Sequence, residues 1–218
     1  MWWKWGVLLS KEGKAVNNVQ QRVNTAARKI PTWALYILCL LWVPWLVYLA
    51  QTGGLGREPI KGLEHALGEF ALKLLIIGLA ITPLRRHLGI NLIKFRRAFG
   101  LLAFIYVCLH LAVWVALDMS LLWGQMWADI WKRPYITIGM AGFACLVPLA
   151  MTSNNWSVRK LGPNWRKLHK LTYLAVLLGA AHFVWLVKGI QLEPLIYLTV
   201  ILVLLALRIT PRKTAKAG

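Results

Sequence analysis

Acidic residues are scarce in this chain: seven Asp and Glu stand against 26 Lys and Arg in 218 residues, a formal net charge of +19. Charge of either sign is also scarce. It accounts for 15% of residues, where a soluble domain carries about 25%, while hydrophobic residues reach 59% and mean hydropathy is +0.58. No long polar stretch remains to build an independent soluble catalytic domain. A disordered chain is excluded as well, because such chains are polar and poor in aromatics, and this one carries 13 Trp.

Cysteine is nearly absent. Cys39, Cys108 and Cys145 each lie inside an apolar run, with no CxxC and no CxxCH. Structural zinc, a cysteine-ligated iron–sulfur cluster and covalently attached c-type haem are therefore unsupported. Nucleotide fingerprints are missing too. Gly53-Gly54-Leu55-Gly56 is rich in glycine but lacks the strand before it and the helix after it that a dinucleotide site needs. There is no P-loop, no Ser/His/Asp arrangement, no internal repeat and no low-complexity segment.

What remains is apolar length. Six runs stand out, Trp33–Ala50, Ala66–Pro83, Ala98–Leu117, Tyr135–Met151, Leu171–Val187 and Pro194–Leu207. A spanning helix needs about 20 residues, with a range near 17–25. Five runs qualify as they stand, and the sixth does so when extended back to Ile190, or comes to the edge of the range when extended on to Ile209. The expected fold is all-α, a six-helix transmembrane bundle over 31–210. It is flanked by an N-terminal segment, 1–30, and a short tail, 211–218. The run Met1–Leu9 is shorter than a signal-peptide core and has no small-residue cleavage site. It reads as a surface-lying segment, and 11–29 as a polar, helical or frayed one.

An even number of spans puts both ends on one side, and charge says which. Twenty of the 26 basic residues fall in 1–30, 84–97, 153–170 and 208–218, with Glu12 as the one acid among them. The opposite loops hold five basic residues and five acids, and Lys73 and Glu69 lie within the second run. Lys and Arg accumulate on cytoplasmic loops, so both termini are expected there. The net charge then needs no nucleic acid to explain it. On the opposite side Trp123, Trp127 and Trp131 recur every four residues, one face of an amphipathic helix lying at the outer interface.

Ionisable groups inside a bilayer are costly and mark function. Of five histidines, His110 lies within the third run, seven residues before Leu117, and His182 within the fifth, five before Val187. Both runs point outward, so at about 1.5 Å per residue the two rings lie ~10 and ~8 Å below the outer boundary. Two neutral imidazoles at one depth on parallel spans can ligate a single haem held edge-on between helices. The alternative is a pair of core histidines bonded to neighbouring carbonyls. His169, thirteen residues before His182, lies ~20 Å away along the axis and projects from another face. A second haem, a quinone or flavin site, or a wet helix end are equally open for it. His65 starts the second run at its outer end, and His87 sits in the basic inner loop as a solvated residue. Lys73 follows Glu69 by four, the favourable order for a helical ion pair, which is preferred to contact with a haem propionate.

An ordered set of short motifs carries a resemblance over about 31–208. It comprises Gly53-Gly54-Leu55-Gly56 with Pro59 and His65, Ile81-Thr82-Pro83-Leu84, Arg96-Arg97 with Gly100-Leu101, and Leu109-His110. It continues through Arg133-Pro134-Tyr135, Lys160-Leu161-Gly162, Trp165 with Leu168-His169, then His182, Leu195-Ile196-Tyr197 and Leu205-Ala206-Leu207-Arg208. In these the chain resembles the MsrQ (YedZ) family of haem-binding membrane subunits of the methionine sulfoxide reductase system, within the ferric-reductase-like transmembrane group. The resemblance implies a multi-pass protein of the bacterial inner membrane that binds b-type haem, with FMN as a further candidate. Such a protein passes electrons from the quinone pool or a cytoplasmic flavin reductase to a periplasmic molybdopterin enzyme, MsrP, which reduces methionine sulfoxide in oxidised envelope proteins. It also implies that His110, His169 and His182 are haem-associated, with His65 in a matching segment and His87 outside the pattern. The segment before Pro31 departs from the family core. Two other classes compete, a proton-coupled transporter using the histidines and Lys73, and a non-redox anchor for a periplasmic enzyme.

Overall fold

The computed structural model describes residues 18–187 and 191–209. The apolar run at Met1–Leu9, Lys188 and the tail 211–218 lie outside the described residues. Among the described residues the chain is helices and short connections, with no strand.

The N-terminal helix α1 covers 18–29 of the described residues. The first expected span is two helices, α2 (Thr32–Leu40) and α3 (Trp42–Gln51). Pro44 has no N–H to return to the carbonyl of Leu40, so the helix breaks one turn before it. The second span is longer than its apolar run: α4 covers Pro59–Leu88, with Pro59 at its first turn and Gly89, at φ 66°, closing it. Lys61, Glu64 and His65 are therefore helical rather than part of an outer loop. A short 3₁₀ turn, Ile93–Phe95, leads into α5 (Arg96–Val113), which runs on as a π-helical turn, Trp114–Asp118.

Helix α6 (Trp123–Lys132) is the amphipathic helix expected from the tryptophan spacing. Trp123, Trp127 and Trp131 are 63%, 63% and 76% exposed, while Met126 and Asp129 are buried. Then come α7 (Pro134–Met151), the short α8 (Asn155–Leu161) and α9 (Pro163–Leu168), α10 (Leu171–Leu186) and α11 (Leu192–Ile209). Among the described residues five helical stretches are long and apolar enough to cross a membrane: Thr32–Gln51, Pro59–Leu88, Ile93–Asp118, Pro134–Met151 and Pro163–Leu186. The sixth expected span corresponds to α11, which stands outside those five. It packs on α4 and α10, with Ile201 fully buried.

Two antiparallel pairs dominate the packing, α4 with α5 and α7 with α10. A core of Leu67, Ala71, Leu72, Leu79, Leu102, Ala103, Tyr106, Val176 and Ala180 joins them. The Tyr106 hydroxyl, fully buried, donates to the carbonyl of Cys39 and ties α2 to α5. At one end of the bundle lie α6, the starts of α4, α7 and α11, and the ends of α5 and α10. At the other lie α1, α8, α9 and the segment 89–94.

Proline shapes that second end. Pro83 cannot donate to the carbonyl of Leu79, which is left without its helical partner. Arg208, from the last turn of α11, fills the vacancy: its Nε donates to Leu79 O at 3.2 Å and its second guanidinium nitrogen donates to the same oxygen. A third nitrogen reaches the Tyr173 hydroxyl at 2.9 Å.

A candidate haem site between two helix pairs

His110 lies in the last turn of α5. Its Nδ1 is 2.8 Å from the carbonyl oxygen of Glu64 on α4. A carbonyl only accepts, so Nδ1 carries the proton and Nε2 keeps its lone pair in the neutral ring. In an α-helix the carbonyl of residue 64 faces the amide of residue 68, and residue 68 is glycine. A Cβ there would lie 3.0 Å from the Nδ1 of His110. The missing side chain is what lets the imidazole reach the α4 backbone.

The same device recurs in the other pair. His182 of α10 donates from Nδ1 to the carbonyl of Tyr135 on α7 at 2.6 Å. Four residues on is Gly139, where a Cβ would come within 2.8 Å of that nitrogen. Tyr135 and Gly139 are thus to His182 what Glu64 and Gly68 are to His110. No repeat is visible in the sequence, yet the geometry repeats.

The two rings meet between the pairs. Their centroids are 6.3 Å apart and their planes 81° from parallel. Two imidazoles on opposite sides of one metal ion would have centroids roughly 6.2–6.4 Å apart, from metal–nitrogen bonds of about 2.0–2.1 Å and about 1.1 Å from nitrogen to ring centre. Among the described residues no group of three or more His, Cys, Asp or Glu could hold a bare metal ion. A metal at this pair must bring its remaining ligands with it, as haem iron does. The Glu64 carboxylate, 4.0 Å from the Nε2 of His110, is beyond hydrogen-bond distance. Backbone anchorage of the distal nitrogen, a neutral ring and a cleared approach are the features a ligating histidine needs.

The other expected site residues lie apart from this pair or are otherwise engaged. His169 is at the opposite end, after α9. Its Nε2 is 3.1 Å from Thr152 Oγ1, whose own proton goes to Pro148 O, so His169 is the donor. Its ring stacks on Trp165 at 3.9 Å and 26°, and the Trp165 indole donates to Thr152 O at 2.9 Å. Lys73 bonds Glu69 at 2.5 Å and is 47% exposed, while the Tyr197 hydroxyl of α11 donates to the same carboxylate oxygen at 2.8 Å. His65 is exposed on α4. His87 is exposed too, though not merely solvated: its Nε2 donates to Leu207 O at 3.3 Å.

Sequence reasoning missed Glu64, Gly68, Tyr135 and Gly139. The available signal was a glycine four residues after a potential acceptor in two different spans, which has meaning only once the helix pairing is known.

The ferric reductase like transmembrane component family matches residues 66–180. That match takes in Gly68, His110, Gly139 and His169 and stops two residues short of His182. The chain is 51% identical over 177 residues to a protein of Agrobacterium fabrum, covering 81% of this chain and 82% of that protein. It is 48% identical over 177 residues to one of Brucella ovis, covering 81% and 80%. Both are named protein-methionine-sulfoxide reductase heme-binding subunit MsrQ. No solved structure matches the chain.

Proposed function

We propose a function from the premise that this chain belongs to the ferric-reductase-like transmembrane family and, within it, to the heme-binding subunits of protein-methionine-sulfoxide reductase. It is a membrane b-type cytochrome that delivers electrons to a methionine sulfoxide reductase on the far side of the membrane. The observation that carries the reading is the facing of two imidazoles, each with Nδ1 bonded to a backbone carbonyl, at a centroid distance of 6.3 Å.

Bound between His110 and His182, haem b would supply a reversible one-electron carrier. The chain's own residues do the rest. The carbonyls of Glu64 and Tyr135 hold the tautomer and orientation of the two rings, and Gly68 and Gly139 admit them. Lys73 serves as half of a structural ion pair with Glu69, contact with a haem propionate being the rival role. His65 flanks the site from the exposed side of α4.

The apolar runs support six spans, the charge pattern supports both termini in the cytoplasm with the histidine pair near the periplasmic face, and the likeness to bacterial heme-binding subunits supports an inner-membrane location. Electrons then enter at the cytoplasmic end near His169, from quinol or a flavin reductase, with FMN as a candidate cofactor there. They leave near His182 towards a periplasmic molybdopterin-containing partner, MsrP. The loops around α6 carry mixed charge, so docking there meets no large opposing field.

Stopped-flow absorption tests the direction. In His169→Ala, reduction by quinol or reduced flavin should slow while re-oxidation by the periplasmic enzyme stays fast. Normal reduction with slow re-oxidation would reverse the polarity. A protein with no redox-active chromophore would instead favour the transporter or anchor reading.

A further inference from the structure

Helix α1 is not an idle polar segment. Gln20 Nε2 and Asn24 Nδ2 both donate to Gly89 O, at 3.2 and 3.1 Å, and the Asn91 amide donates to Asn24 Oδ1 at 2.8 Å. The fit depends on glycine: a Cβ at Gly89, already at φ 66°, would lie 2.1 Å from the Gln20 amide. On the far side Lys94 Nζ donates to Arg28 O and Ile30 O at 3.0 and 2.7 Å. These bonds hold α1 across the end of α4 and enclose a recess of about 590 Å³.

The walls of the recess have one chemical character. Its lining includes Asn24, Arg28, Arg85, Asn91 and Lys94, with no carboxylate. The acceptors that would repel an anion are already engaged: Gly89 O by Gln20 and Asn24, Asn24 Oδ1 by Asn91, and Asn91 Oδ1 by Ile93 N at 3.3 Å. Donors are left over. Among the described residues neither Arg28 nor Arg85 has a carboxylate partner. Lys94 keeps a third ammonium proton. Two guanidinium forks, an ammonium and an amide facing one cavity match the oxygens of a phosphate group, which arginine binds through paired hydrogen bonds. The recess also lies where the spans α4 and α5 meet the basic end of the bundle, the depth of lipid head groups.

We propose that this recess is a phosphate-binding site, taking either the head group of an anionic phospholipid or a free phosphate. The assignment is independent of the histidine pair.

The test uses the purified full chain in a neutral detergent, with thermal unfolding followed by far-UV circular dichroism. Three probes are titrated: phosphatidylglycerol, phosphatidylcholine and inorganic phosphate. Wild type is compared with Arg28→Gln/Arg85→Gln. A control, Arg166→Gln/Lys167→Gln, removes the same charge from α9 at the same end of the bundle. If the recess holds a lipid head group, phosphatidylglycerol raises the unfolding temperature, phosphatidylcholine does not, and the first double variant binds at least about tenfold more weakly. The control should bind as wild type. If the source is free phosphate, inorganic phosphate alone gives this pattern. Equal behaviour of the two double variants, or no response of wild type to any anion, overturns the proposal. Should the double variant not fold, Arg28→Gln alone, on an exposed position of α1, gives the same comparison.

Discussion

Gly139 and His182 are so close that one methyl group would separate them: a Cβ at 139 would lie 2.8 Å from the ring nitrogen that bonds Tyr135 O. The space is therefore specified by the absence of a side chain. Gly139→Ala should displace the ring and release most of the haem. Gly68→Ala, with a 3.0 Å approach to His110, should do so less completely. Gly100→Ala, also in a spanning helix but with nothing within 4 Å, should keep its haem and gain up to about 1 kcal/mol from helix propensity. Haem-to-protein ratios of the three purified variants check the order.

The Arg208–Leu79 bond makes a coupling prediction. Arg208→Ala leaves a buried carbonyl unpaired, which costs about 1–3 kcal/mol. In a Pro83→Ala background the residue at 83 regains an N–H that can take Leu79 O itself, and the cost should fall by about 1 kcal/mol. Unfolding of the single and double variants measures this. Additive effects would show that the proline and the arginine are unrelated.

Lys73→Met separates the two roles of that lysine. As half of an ion pair with Glu69, whose carboxylate also accepts from Tyr197, its loss should lower stability and leave the absorption spectrum and reduction potential as in wild type. A shifted potential at unchanged stability would assign the lysine to a propionate.

The proposed topology rests on the charge pattern. Reporter fusions after Arg208 should be active only for reporters that work in the cytoplasm. Activity of a periplasmic reporter there would invert the depth assignment of His110 and His182.

Apolar length made the spans legible. Five of the six runs fall on helical stretches long and apolar enough to span, the first of them broken in two, and the sixth is covered by α11, which stands outside those five. The spacing of Trp123, Trp127 and Trp131 defined the exposed face of α6. The pairing of His110 with His182 was legible from depth alone, since a similar distance from two helix ends needs only the rise per residue. Features that depend on a partner helix were not. The break before Pro44 was local and could have been read. The extension of α4 back to Pro59 could not, because Lys61, Glu64 and His65 look like loop residues until α5 packs beside them. The glycines at 68 and 139 are ordinary small residues in a list. Their role appears only when His110 and His182 arrive from other helices. Arg208 looks like one more basic residue at the C-terminal end of the sixth run until Pro83 leaves Leu79 O without a donor.

The central claim is that His110 and His182 together hold one haem. The most direct measurement is the absorption spectrum of the purified full chain, oxidised and reduced, beside that of His110→Ala/His182→Ala. The account predicts an intense Soret band that shifts on reduction in wild type, is lost in the double variant, and persists unchanged in His87→Ala. A wild-type spectrum without that band, or a double variant that keeps it in full, would contradict the claim.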